Sequence, residues 1–146
     1  MTVQVYWEDI AEGMKLPSLV KNVTTRQLVQ YAGASGDFYE IHYDKDFALK
    51  NELPGPIVHG ALKNAFLGQL ITDWMGEEGI LKKLSCQYRG MDEPGSSLHC
   101  KGIVAKKYVE DGENLIDCEI WLENEKGEKT TPGKATVALP SRESGC

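Results

Sequence analysis

The sequence predicts an α+β domain in which an antiparallel sheet of four or five strands curls around one long apolar helix. Three observations predict it. From about residue 84 onward, apolar and polar residues alternate with period two, the signature of half-buried strands. Residues 60–75 carry apolar groups most of the way around a helical wheel, so that helix must be buried on several sides. Short turn signals separate the alternating runs, which suits antiparallel neighbours. A sheet with one apolar face needs a cover, and the long helix supplies it.

Taken in order, residues 3–10 read as a short first strand, followed by a turn at Glu12-Gly13 and an extended run to Val20 that contains Pro17. Thr24, with Gln27 three residues later, fits a capping box, and Leu28, Val29, Tyr31 and Ala32 give the following helix an apolar face. Gly33 and Gly36 end it. Asp44 is the expected N-cap of a second short helix carrying Phe47, Ala48 and Leu49, terminated by Pro54-Gly55-Pro56. On the long helix the polar residues are mainly Lys63, Asn64, Gln69, Thr72 and Asp73, expected to leave the core, and Gly76 supplies the stop. The strands that follow present Leu84, Cys86 and Tyr88; then Leu98, Cys100, Gly102 and Val104; then Ile116, Cys118, Ile120 and Leu122; and finally Ala135, Val137 and Leu139. Reversals fall at Pro94-Gly95, Asp111-Gly112 and residues 124–127. One domain, residues 1–140, is expected, with a disordered tail at 141–146.

A chain of 146 residues can bury a core without metal or disulfide staples. Its net charge of −6 gives no general electrostatic support for a nucleic-acid or anionic-membrane partner. No stretch has enough consecutive apolar residues to cross a bilayer, and residues 1–13 lack a charged n-region and an apolar h-region, so a cytoplasmic location is expected. Cys86, Cys100, Cys118 and Cys146 are too far apart for a paired metal or redox motif and read as inert thiols.

The chemistry is concentrated in residues 34–60, ASGDFYEIHYDKDFALKNELPGPIVHG. Asp37 and His42 lie five positions apart in an irregular segment, where an acid and an imidazole can share one water. Gly36 gives the backbone freedom beside Asp37, and the two prolines make a rigid approach to Ile57-Val58-His59-Gly60. Unpaired N–H groups at the start of the long helix can then polarise a substrate carbonyl. His59 reads most simply as packing or capping that helix start.

Tyr31-Ala32-x-Ala34-Ser35-Gly36-Asp37-x-x-x-Ile41-His42-x-Asp44, with Ala48 and Gly55-Pro56-Ile57-Val58-His59-Gly60, resembles the hydratase motif of the MaoC-like dehydratase family, the (R)-specific enoyl-CoA hydratases of hot-dog fold. The resemblance extends more loosely over nearly the whole chain. It implies a single hot-dog unit that adds water across the double bond of a 2-enoyl-CoA, or removes it from a 3-hydroxyacyl-CoA, with no metal or other cofactor. It implies Asp37 and His42 as the catalytic pair and Gly60 as the donor to the thioester oxygen; His59, Tyr39 and Ile57 are expected to complete the substrate-binding set. It also implies an acyl-CoA partner and a homodimer or higher oligomer, a heteromer being the variant form. One departure is visible: family members commonly read Asn-Pro where this chain has Tyr39-Glu40. Two alternatives remain beside hydration, an acyl-CoA thioesterase and a non-catalytic acyl-CoA-binding subunit of a heteromeric dehydratase. The thioesterase reading draws attention to Asn64 and Asp73, because some hot-dog thioesterases carry their acid on the central helix.

Overall fold

The computed structural model describes residues 3–143. Helix α1 (Thr25–Ser35) begins where the cap signal places it, with Thr24 Oγ1 accepting the Gln27 N–H at 3.1 Å. It ends on Gly36, whose φ of 78° lies in the left-handed region that glycine enters without strain. Helix α2 (Lys45–Lys50) is capped by Asp44, which accepts the Phe47 N–H at 3.1 Å. The long helix is α3 (Gly60–Met75).

Five strands form one antiparallel sheet: β1 (Leu19–Asn22), β2 (Ile80–Cys86), β3 (Ser97–Glu110), β4 (Glu113–Glu123) and β5 (Lys129–Ala138). The order is β1-β3-β4-β5-β2, so β1 and β2 are the edges. The β3–β4 hairpin turns on Asp111 (φ 52°) and Gly112 (φ 78°), the consecutive left-handed pair that a tight two-residue hairpin demands.

The sheet curls around α3 in the hot-dog arrangement. Leu62, Phe66, Leu67, Leu70 and Ile71 on the helix meet Leu98, Cys100, Val104, Ile116, Cys118, Ile120, Leu122, Ala135 and Val137 from the sheet, all buried. Each such large aliphatic side chain contributes roughly 1.5–3 kcal/mol by leaving water, which fixes the helix in the hollow of the sheet. Cys100 and Cys118 belong to this core and Cys86 is half-buried, all three as free thiols. Cys146 lies outside the described residues.

Two expectations are corrected. Residues 3–10 form no strand among the described residues. A short 3₁₀ turn at Trp7–Asp9 takes their place, because the Asp9 N–H bonds the Tyr6 carbonyl at 2.9 Å while its carboxylate accepts the Tyr6 N–H at 3.3 Å. A local carboxylate clasp of this kind outcompetes pairing for a short isolated run. The first strand is β1 instead. Lys63 does not leave the core: it is 2% exposed and forms a buried ion pair with Asp92, Nζ to Oδ2 3.0 Å.

At the C-terminal end, Ser141 and Arg142 are held by Glu8 and Asp9. The Arg142 guanidinium makes two parallel contacts to the Asp9 carboxylate at 2.7 and 2.8 Å. Residues 144–146, the rest of the expected tail, lie outside the described residues.

Candidate active site

The end of α1 sets Asp37 in place. Ser35 Oγ donates to the Tyr31 carbonyl at 2.7 Å and accepts the Asp37 N–H at 3.2 Å. Asp37 Oδ1 in turn accepts the Tyr39 N–H at 3.4 Å, a local turn that leaves Oδ2 directed at His42. A 3₁₀ turn at Glu40–His42 then carries His42 inward, where it is buried although Asp37 and Glu40 stay exposed.

His42 Nδ1 lies 2.9 Å from the Ile57 carbonyl oxygen. A carbonyl only accepts, so Nδ1 carries the hydrogen and Nε2 of the neutral ring presents its lone pair. That lone pair lies on the Asp37 side, with Nε2 3.8 Å from Oδ2. The gap is too long for a direct hydrogen bond and suits one water held by both. Ile57, expected to touch substrate, thus has a definite role through its backbone, fixing the tautomer of the imidazole. Its own N–H donates to the Ile41 carbonyl at 3.1 Å, so the two segments are laced together on both sides of the ring.

His59 is fully buried and stacks on His42, centroids 3.8 Å apart at 20°. Tyr31 meets its other side edge-on at 4.8 Å. The His59 Nε2 approaches the Asp37 carbonyl oxygen at 3.4 Å, and Nδ1 has no partner among the described residues. Desolvation first, and the adjacent His42 second, hold its pKa below the ordinary value, so His59 is a neutral slab behind the His42 imidazole. Packing, the simpler reading of this residue, agrees with the geometry. Tyr39 shields the other approach: its ring sits edge-on to His42 at 6.3 Å and to Phe47 at 5.9 Å, and it stays half exposed.

Asp37, His42 and His59 have ligand atoms within 4.8 Å of one another, a set that invites a metal ion. The stacking argues against one. Imidazole lone pairs lie in the ring plane, and two rings stacked at 20° with centroids 3.8 Å apart do not both direct theirs at one ion within ligand distance.

Gly60 follows His59 directly and opens α3, and among the described residues no side chain caps that start. The first N–H groups of a helix have no partner within it, and the helix dipole favours negative charge there. The ring of Tyr88 lies over this point: a Cβ built on Gly60 would stand 3.1 Å from its ring carbons. Tyr88 is exposed as a residue, yet its hydroxyl pKa is raised to about 12, first by desolvation and then by the Cys86 thiol. Tyr88 is therefore no base at neutral pH.

Beneath the helix start, Lys63 Nζ donates to the Gly90 carbonyl at 2.9 Å and pairs with Asp92, whose Oδ2 also accepts Thr130 Oγ1 at 2.6 Å. The Asp92 backbone carbonyl accepts the Val58 N–H at 2.8 Å, bracing the approach to Gly60. Sequence reasoning missed Tyr88, Lys63 and Asp92 as neighbours of the site. The one local signal was a lysine inside a mostly apolar helix. Asn64 accepts the Cys86 thiol at 3.2 Å, and the exposed Asp73 bonds Gln69 at 3.3 Å, so neither is tied to the Asp37–His42 pair.

A family model described as MaoC like domain matches residues 10–130. An (R)-specific enoyl-CoA hydratase of Rhodospirillum rubrum is 27% identical over 143 residues, covering 94% of this chain and 93% of the relative. The fatty acid synthase subunit beta of Saccharomyces cerevisiae is 30% identical over 112 residues, 75% of this chain; the match spans 5% of that much longer subunit. Among solved structures, the unliganded R-hydratase PhaJ1 of Pseudomonas aeruginosa superposes with a TM-score of 0.85 at 21% identity, covering 95% of this chain and 88% of that one.

Proposed function

The chain belongs to the MaoC-like domain family, and from that premise we propose that it is a hydratase or dehydratase acting on an acyl-CoA thioester. It adds water across the 2,3 double bond of a 2-enoyl-CoA, or runs the reverse on a 3-hydroxyacyl-CoA. One observation carries the reading: His42 is locked by Ile57 with its Nε2 lone pair 3.8 Å from Asp37 Oδ2, in the segment leading to an uncapped helix start. In the proposed reaction, one water sits between Nε2 and the carboxylate. Nε2 takes a proton as the water oxygen bonds to Cβ, and the Asp37 carboxylate orients the water by accepting its other hydrogen. The electron pair of the double bond moves toward the thioester carbonyl, where the Gly60 N–H meets the developing charge. The enolate then recovers the proton from Nε2 at Cα, leaving the imidazole neutral. Hydration conserves all atoms of water in the product.

The test is to mix the protein with crotonyl-CoA and follow both the conjugated double bond and free thiol. Loss of the double bond without thiol supports hydration, whereas thiol release supports hydrolysis, and binding with neither supports a non-catalytic subunit. Asp37→Asn and His42→Ala are each expected to lower turnover by about 10²–10⁴, the range for losing an acid–base partner. A folded variant with near-normal turnover removes that residue from the mechanism.

A further inference from the structure

A second site stands apart from the Asp37–His42 pair. A cavity of about 560 Å³ opens beside the end of β2, over the middle of β4 and β5. Gln87, Arg89, Glu119, Trp121, Lys129 and Lys134 are among the residues that line it. On β4, Cys118, Ile120 and Leu122 are buried in the core, so Glu119 and Trp121 belong to the opposite, outer face.

The cavity is basic in an acidic protein. The chain carries a net charge of −6, yet three cations and one carboxylate meet here. Among the described residues, none of Arg89, Lys129 and Lys134 has a salt-bridge partner. The Arg89 guanidinium is steadied by the Gln87 amide oxygen at 3.1 and 2.7 Å, a neutral contact that leaves its charge uncompensated. Lys129 Nζ lies 4.0 Å from the Trp121 ring centroid, and the indole N–H is fixed by Glu123 at 2.7 Å. An oriented aromatic ring beside cations that no carboxylate pairs among the described residues offers what a nucleotide uses: a surface for the base and charges for its phosphates.

The position of the cavity relative to the catalytic helix gives it a meaning. Beyond β2 the chain stays extended on β5, with the Gln87 N–H bonding the Pro132 carbonyl at 2.9 Å and the Arg89 N–H bonding the Thr130 carbonyl at 2.9 Å. Gln87 and Arg89 line the cavity, while Tyr88 between them lies over Gly60 on α3. One strand, at the edge of the sheet, separates the two places. A thioester seated at the helix start and an anionic nucleotide seated outside belong to one molecule if a flexible arm turns that edge.

We propose that this cavity receives the 3′-phospho-ADP end of coenzyme A, with Arg89, Lys129 and Lys134 meeting its phosphates and Trp121 facing the adenine. The inference rests on the acyl-CoA reading above and adds where the carrier binds. The competing occupant is a second copy of the chain along the β2 edge. Interface cores are depleted in lysine, and two lysines beside an arginine favour the anion.

The experiment separates this inference from the reading beneath it. Hydration of crotonyl-CoA is compared with hydration of crotonyl-N-acetylcysteamine, which has the same thioester and no nucleotide. Lys134→Glu and Lys129→Glu are each expected to raise KM for the coenzyme A ester at least about tenfold, the scale of one charge-assisted hydrogen bond. The nucleotide-free thioester should show no such rise, and 3′,5′-ADP should compete with the first substrate and not the second. An unchanged KM for crotonyl-CoA, an equal rise with both substrates, or a change confined to oligomeric state each overturns the proposal. If neither thioester is hydrated, the hydratase reading fails by itself. Calorimetric titration of 3′,5′-ADP then decides: binding lost in Lys134→Glu upholds the nucleotide site, and no binding to the wild type overturns it.

Discussion

Lys63→Met tests the account of the helix start most directly. The Lys63 and Asp92 side chains are 3% and 1% exposed, and their 3.0 Å contact is the carboxylate's one ionic partner among the described residues. Removing the ammonium leaves Oδ2 with the Thr130 hydroxyl and Oδ1, already unpartnered, with nothing. Breaking one side of a buried pair costs about 3–5 kcal/mol, because the remaining charge is stranded out of water. For a chain of this size each kcal/mol shifts Tm by about 2–4 °C, so the expected fall is roughly 6–20 °C. Replacing both partners, as in Lys63→Met with Asp92→Leu, should recover most of the loss, because no charge is then buried. The Asp92 carbonyl that accepts the Val58 N–H is backbone and survives either change. Thermal unfolding followed by circular dichroism, with urea titration as a check, measures both variants. A loss below about 1 kcal/mol in the single variant, or a double variant as unstable as the single, would refute burial of charge as the cause.

Three further outcomes follow from the same geometry. Gly60→Ala places a methyl 3.1 Å from the Tyr88 ring carbons, so the ring must yield by a few tenths of an ångström. Turnover should fall, and adding Tyr88→Ala should restore part of it, which steady-state kinetics on crotonyl-CoA would show. His59, held below its ordinary value of 6.5 by desolvation and then by His42, takes up its proton more readily in the unfolded chain. The unfolded state therefore binds more protons as pH falls below about 6.5, and this contribution to stability is whole above that value and lost on the acid side. Urea unfolding between about pH 7 and pH 5 should show that slope, and His59→Asn should flatten it. Burial pushes the Cys100 and Cys118 thiols up to about 12, so a thiol-specific aromatic disulfide should label them only as the protein unfolds. Fast labelling of either in the native protein would contradict the core packing.

What the sequence made legible is what nearby residues decide. The Thr24 and Asp44 caps act over three positions, and the alternation of β3 and β4 is written residue by residue, so those elements could be read directly. The Asp37–His42 pair also lies within one short segment, and its residue types are those that acid–base chemistry uses. The misreadings share a physical cause. Residues 3–10 read as a strand, but a strand needs a partner, and the Asp9–Tyr6 clasp offers those backbone groups a nearer one. Lys63 reads as a surface residue until its carboxylate arrives from 29 positions away. The His42–His59 stack and the Tyr88 ring over Gly60 likewise depend on how distant segments fold together, which no spacing rule encodes.

The consecutive donors Ile57 and Val58 bind in opposite directions, one to Ile41 beside the imidazole and the other to Asp92 beneath α3. A tether fastened on both sides cannot swing open without breaking its fastenings, so movement here falls to groups that pivot about their own bonds. Tyr39 and Tyr88, each about half in solvent, are two such groups at the edge of the site. Rotamer changes of exposed side chains take picoseconds to nanoseconds, so these rings can turn while the laced backbone beside them keeps its shape.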